Sequence, residues 1–214
     1  MRSMAAPPSR PALRARYDRR QQEVIAAAAR VFAVQGFHAT SMQDLIAATG
    51  LTAGGLYHYI GSKDRLLVLI CDQLMEPLLD QVRAIAASDH PPDVQLRDIV
   101  HIWMAHVERN RDHMLVFQQE RHVLERGPQW REVRRQRKDF EQLLADILQG
   151  GERDGSFRFG DPDIALRALL GMVNHTAQWY RPRGRLRAEQ IADGFVDLLL
   201  AHHNGTRPAT PKGT

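Results

Sequence analysis

Cysteine is almost missing from this chain of 214 residues: Cys71 stands alone. A single thiol excludes an internal disulfide and a cysteine zinc cage. It lies in the apolar run LLVLICDQL, where the ordinary reading is a buried helix residue. Long apolar runs are missing as well. No stretch reaches the roughly 20 apolar residues that a membrane-spanning helix needs. The N-terminus carries charge without the apolar core of a signal peptide, so a cytoplasmic protein with no membrane partner is expected. The chain shows no phosphate loop, nucleophile elbow or paired-carboxylate motif, so neither catalysis nor a cofactor is expected. Histidine is plentiful at ten residues, but His101, His106, His113 and His122 lack regular i, i+4 pairing and a nearby cysteine. That spacing predicts no metal site. Repeats and convincing strands are absent too.

What is present is enough apolar sequence, 43%, for a sizeable core, and an uneven charge. Residues 1–65 carry nine Lys/Arg against four Asp/Glu, a net of +5 within a chain whose total is +4. The remainder is close to neutral. A positive excess confined to one end is the electrostatic footprint of a piece that meets phosphates.

The pattern predicts an all-α fold of about nine helices. Residues 1–17, with three prolines and four arginines, read as a mobile basic arm. A first helix is expected over 18–35, with Ile25, Ala28, Ala29 and Phe32 as its buried stripe. Ser62 is placed to cap a fourth helix from Lys63, which Pro77 should kink or break. A fifth helix is expected over 93–109, a sixth over 112–126 ending at Gly127-Pro128, and a seventh over 129–152. Asp161 caps an eighth that reaches about Tyr180, and a ninth spans about 188–203. Residues 204–214, with two prolines and two glycines, read as a disordered tail. The resulting division is an arm over 1–17, a small domain over 18–65, a larger domain over 66–203 and the tail.

The most telling run is Thr40 to Lys63, TSMQDLIAATGLTAGGLYHYIGSK. Met42, Leu45 and Ile46 are at helical spacing. Gly50 stands where a left-handed helix stop belongs, and Thr52 can cap a second helix carrying Leu56, Tyr59 and Ile60. Two helices joined by a short glycine-containing turn outline a DNA-binding helix-turn-helix over 41–60.

That run, together with Ala28-Ala29-Arg30-Val31-Phe32 and Gly36-Phe37-His38-Ala39-Thr40, resembles the DNA-binding domain of the TetR family of bacterial transcription regulators. The family usually has Phe where this chain has Ile60. The resemblance covers roughly the first third of the chain and implies a homodimer on palindromic operator DNA. It assigns phosphate contacts to the positions of Thr40, Tyr57, His58 and Lys63. Ser41 joins them as the residue at a helix N-terminus, where free N–H groups favour an anion. Helix three would enter the major groove with Thr52, Ala53 and Gly54 foremost. Ala53 and Gly54 lack polar side chains, so readout is expected to lean on Thr52, Tyr57, His58 and DNA shape. Arg14, Arg16, Arg19 and Arg20 are weaker candidates for further phosphate contacts.

For the larger domain the family implies pairing through the last two helices, the predicted eighth and ninth. Ala168, Gly171, Phe195 and Leu199 are the candidate interface residues. A small apolar effector is expected, with Trp103, Met104, Phe117, Phe140, Asn174 and His175 as pocket candidates. The stretches Gln119-Glu120-Arg121 and Trp179-Tyr180-Arg181-Pro182-Arg183-Gly184 resemble actinobacterial members that sense acyl-CoA thioesters. They imply an acyl-CoA effector, with Arg181, Arg183, Arg185 and Arg187 near a CoA phosphate. The leading expectation is a repressor released from its operator by that ligand. A helical enzyme acting on acyl ligands and a DNA-binding protein without ligand control are the alternatives.

Overall fold

A computed structural model describes residues 10–125 and 127–200. In chain order the helices are α1 (Pro11–Gln35), α2 (Met42–Thr49), α3 (Ala53–Ile60), α4 (Lys63–Ala86), α5 (Pro92–Arg109), α6 (Arg111–Gln119) and α7 (Arg121–Leu124). A 3₁₀ turn at Pro128–Trp130 leads into α8 (Arg131–Asp154), followed by α9 (Pro162–Trp179) and α10 (Ala188–Leu200). Among the described residues there is no strand, as the all-α expectation requires.

Four boundaries differ from the sequence reading. First, α1 begins at Pro11 and not at Asp18, so residues 11–17 are helix and not a mobile arm. Proline suits the first helical position, because its missing N–H would be unpaired there anyway. Arg14 then pairs with Asp18 one turn on, at 3.0 Å, and Tyr17 is buried against the rings of His58 and Tyr59. Residues 1–9 lie outside the described residues, as do the expected tail over 204–214 and the last turn of the ninth predicted helix.

Second, α4 runs without interruption through Pro77, so the expected break is absent. Proline removes one backbone hydrogen bond. Leu74, Met75, Leu78 and Leu79 on its two sides are all buried, and their packing holds the helix together. Third, the predicted sixth helix is two, α6 and α7, parted at Glu120 (φ −93, ψ 12). Its carboxylate Oε1 accepts the N–H of Phe37 at 2.9 Å. Fourth, the predicted seventh helix opens with the 3₁₀ turn before α8.

Two apolar cores result. The larger one gathers α4, α5, α8, α9 and α10, around Val100, Trp103, Leu144, Leu148, Leu169 and Val196. The smaller lies under α1–α3, around Ile25, Phe32, Leu45, Leu56 and Ile60. It also takes in Val116, Leu124, Trp130 and Val133. The expected small domain over 18–65 therefore does not close its own core. α4 passes from one core to the other, and Phe117 of α6 packs against both.

Candidate nucleic-acid interface and ligand cavity

The helix-turn-helix unit α1–α3, hereafter the head, is set by its caps. Ser41 Oγ accepts the N–H of Asp44 at 3.1 Å, and the Asp44 carboxylate accepts the Ser41 N–H at 2.8 Å, a reciprocal capping box. The hydrogen bonds from Ser41 hold the Asp44 carboxyl below its ordinary range. Gly50 (φ 64, ψ 20) stops α2 in the left-handed region, where glycine adds no Cβ penalty. Thr52 Oγ1 accepts the N–H of Gly55 at 3.2 Å and starts α3. Leu56 and Ile60 are fully buried and fix the rotation of α3. That rotation leaves Thr52, Ala53, Gly54 and His58 exposed and Tyr57 half-buried.

Gly54 is informative because nothing inside the protein requires it. A Cβ built there meets no atom within 4 Å. Glycine also costs a helix about 1 kcal/mol against alanine. The open space lies on the outer face of α3.

Thr40 and Lys63 are occupied within the protein. Thr40 is buried, its hydroxyl donating to the Gly36 carbonyl at 2.7 Å. The Lys63 ammonium donates to the Thr40 carbonyl at 2.5 Å and the His38 carbonyl at 3.4 Å and lies over the Phe37 ring at 4.7 Å. Those carbonyls and that ring face offset the cost of a cation at the N-terminus of α4. The pair latches the α1–α2 turn to α4. Ser41, by contrast, is exposed at the start of α2. Of the candidate arginines on α1, Arg14 and Arg20 pair within the helix with Asp18 and Glu23, while Arg16 and Arg19 are exposed.

The larger domain holds a half-open cavity of about 580 Å³ among α4, α5, α6, α7, α8 and α9. Leu74, Leu78, Trp103, Met114, Phe117 and Phe140 form its apolar wall. Trp103 and Phe140 meet edge to face at 4.7 Å. Asn174 and His175 line the cavity, and so do Arg121, from the stretch Gln119-Glu120-Arg121, and Arg137 and Arg167, which the sequence does not single out. Arg137 reaches Glu141 at 3.5 Å and Glu125 at 3.8 Å, and Arg121 is 3.1 Å from Glu125. These three arginines come from α7, α8 and α9, so only the fold assembles them. Met104 is fully buried and does not line the cavity: it follows Trp103, and adjacent helix residues point about 100° apart. Arg181, Arg183, Arg185 and Arg187 are exposed in the α9–α10 connection and do not line it either.

Cavity and head are joined through the end of α6. Phe117, Gln118 and Arg121 line the cavity. Between them, the Gln119 side chain donates to the Ala33 carbonyl at 3.3 Å, and Glu120 holds Phe37. The same junction brings His38, Glu120 and His122 together, with one ligand-type atom of each within 4.8 Å of the others. The sequence reading missed this group because its members come from two distant segments.

Of the candidate dimer residues, Ala168 and Gly171 on α9 are exposed, and Phe195 and Leu199 on α10 are half-buried. They stand beside exposed Ile164, Trp179 and Leu198. Gly171 also borders the cavity.

Comparison with known proteins agrees with this geometry. Residues 24–70 match the family described as bacterial regulatory proteins, tetR family, and residues 89–202 match the tetracyclin repressor-like C-terminal domain. The HTH-type transcriptional repressor KstR2 of Mycolicibacterium smegmatis is 28% identical over 194 residues, spanning 90% of this chain and 92% of that one. The structure of the ketosteroid transcriptional regulator KstR2 of Mycobacterium tuberculosis superposes with a TM-score of 0.80 at 26% identity, over 86% of this chain and 94% of that one. AibR, solved in complex with isovaleryl coenzyme A and operator DNA, is 30% identical with a TM-score of 0.75, over 85% and 98% of the two chains. The TetR-family regulator PfmR of Thermus thermophilus is 31% identical, covering 83% of this chain and 97% of that one, with a TM-score of 0.74. Helix-turn-helix head, helical cavity domain and matched sequence agree: this chain belongs to the TetR family of bacterial transcription regulators.

Proposed function

We propose that this regulator is a homodimeric repressor released from a palindromic operator by an acyl-CoA thioester. One observation carries the effector class: a single cavity combines an aromatic and aliphatic wall with Arg121, Arg137 and Arg167. An apolar acyl group suits the wall, and its volume is in the ordinary range for small-molecule sites. The phosphates of CoA suit guanidinium groups, which bind such anions in a bidentate fork. The isovaleryl coenzyme A in the AibR complex belongs to the same chemical class. The enzyme alternative gives way to the family. Ligand-independent binding has no observation in its favour, since the cavity contacts the helix that holds the head.

The readers are Ser41, Thr52, Ala53, Gly54, Tyr57 and His58, with Thr40 and Lys63 fixing the turn behind them. In a dimer on DNA, two α3 helices enter successive major grooves about 34–36 Å apart. The exposed apolar residues of α9 and α10, with small Ala168 and Gly171 among them, support pairing through those helices. Effector in the cavity displaces the α6 end and the Pro77 region of α4, where Leu74 and Leu78 line the wall on either side. Release follows from unequal effector affinity for the two head spacings.

Fluorescence anisotropy on palindromes upstream of the chain's own gene tests this. Nanomolar binding is expected to weaken on adding an acyl-CoA and to stay unchanged with CoA alone or with the free carboxylic acid. Equal release by the free acid would remove the arginines from effector recognition. Tyr57→Ala is expected to weaken operator binding, and Leu198→Arg to yield monomers in sedimentation.

A further inference from the structure

His38, Glu120 and His122 are surplus to both sites above. His38 sits in the α1–α2 connection of the head, whereas Glu120 and His122 sit at the α6–α7 junction of the ligand domain. Glu120 is buried, with 5% of its surface exposed, yet it is flanked by two exposed imidazoles. The His38 and His122 rings are 6.2 Å apart, centroid to centroid. Phe37 N–H occupies Glu120 Oε1, and a carboxylate has a second oxygen to offer. A second cavity, of about 400 Å³, opens beside the group and is lined by His38, His122, Asp64 and Gln129.

We infer that His38, Glu120 and His122 form a binding site for a divalent transition-metal ion that ties the reading head to the ligand domain. Two imidazoles and one carboxylate suit Zn²⁺ and its neighbours Co²⁺ and Ni²⁺, and not Mg²⁺ or Ca²⁺, which take oxygen ligands. Bonds near 2.1 Å put tetrahedral ligands about 3.4 Å apart. The three atoms already lie within 4.8 Å, so rotation of the two exposed imidazoles closes the difference. Three protein ligands leave a fourth position toward the neighbouring cavity, where Asp64 stands. The Lys63 ammonium donates to the carbonyls of Thr40 and His38. Glu120 already holds the head by one hydrogen bond. A metal adds two coordinate bonds across the same seam and so restrains the head relative to the cavity domain.

Titrating Co²⁺ into the untagged full-length protein tests the site. One equivalent per chain should bind, with the visible absorption of low-coordinate cobalt, and Zn²⁺ should displace it. His38→Ala and His122→Ala replace exposed residues and should each weaken binding at least tenfold. Glu120→Gln keeps an acceptor for the Phe37 N–H and should weaken binding likewise. At a hundredfold excess over its Kd, Zn²⁺ should raise the melting temperature of the wild-type chain by about 5 °C or more. It should also slow amide exchange over residues 36–41, and do neither in the His38→Ala/His122→Ala double variant. Cobalt binding equal in wild type and double variant would overturn the site. Binding without slower exchange would overturn the tie between head and ligand domain.

Discussion

The reading head and the ligand domain end their helices differently. In the head, α2, α3 and α4 each start on a hydroxyl that accepts a backbone N–H, from Ser41, Thr52 and Ser62. In the ligand domain, α5, α6, α7 and α8 start with no side-chain cap, and α9 has one in Asp161. α2 and α3 have eight residues each, too few to hold a helix without help. Local caps supply part of that help and fix where each helix begins. Long helices such as α5 and α8 are held by the core and tolerate bare ends. α6 and α7 are the exception, short and uncapped, and they stand where the cavity meets the head. The least locally secured helices are therefore those best placed to move when an effector enters.

The largest effect should come from a residue that breaks this division. Trp130 lies outside the head in sequence but is almost fully buried in its core. Trp130→Ala should cost about 3–5 kcal/mol in chemical denaturation, because it leaves a large cavity. If the cost is under about 1 kcal/mol, the head closes its own core after all.

Replacing Gly54 sharpens the comparison in the opposite sense. Gly54→Leu should leave the melting temperature unchanged or higher, since leucine is the better helix former and meets nothing inside. Operator affinity should fall about a hundredfold, roughly 2.7 kcal/mol. Unaltered affinity in anisotropy would mean that the α3 backbone does not approach DNA there.

A cavity variant should spare the head. Arg137→Ala/Arg167→Ala should raise the acyl-CoA concentration needed for release at least tenfold, about 1.4 kcal/mol, with operator affinity unchanged. The caps come next: Ser41→Ala should lower stability by about 1 kcal/mol and weaken operator binding with it, which thermal melts and anisotropy together resolve.

The smallest effect concerns pH. Burial, then the neighbouring Glu76 charge, pushes the Asp72 carboxyl up to about 6. A raised acid binds more protons folded than unfolded, so stability falls as pH rises from about 4 through about 6. Asp72 is only partly buried, so solvent screening keeps its contribution to about 1 kcal/mol or less. Asp72→Asn should raise the melting temperature at pH 7.5 and not at pH 4. A gain at both values would trace the effect to packing.

The head was legible because its signals are local. Ser41, Gly50, Thr52 and Leu56 lie within 16 positions of one another, and each acts on backbone a turn away. The aromatic wall was partly legible, since Trp103, Phe117 and Phe140 are the large residues of apolar helix faces. Of the arginines at the cavity, Arg121 stood in the stretch Gln119-Glu120-Arg121, but Arg137 and Arg167 were not legible. Arg137 reads as one charge among many on the polar side of α8, and no periodicity tells which charges a neighbouring helix will turn toward a cavity. The split at Glu120 was hidden for the same reason: a contact with Phe37, 83 residues away in sequence, accompanies the break. Pro11 misled in the other direction, since proline starts a helix as readily as it interrupts one.

The early start of α1 has a practical side. Tyr17 presses edge-on against His58, with ring centroids 5.4 Å apart, and its hydroxyl donates to the His58 carbonyl at 3.4 Å. The first two turns of α1 are therefore a brace for α3, the helix proposed to read DNA. Trimming the protein to Asp18, where the apolar periodicity first becomes regular, would cut that brace away. An affinity tag fused there would replace it with foreign sequence. Either choice would yield a folded protein whose operator preference was no longer its own, so binding-site selection belongs with the untrimmed N-terminus.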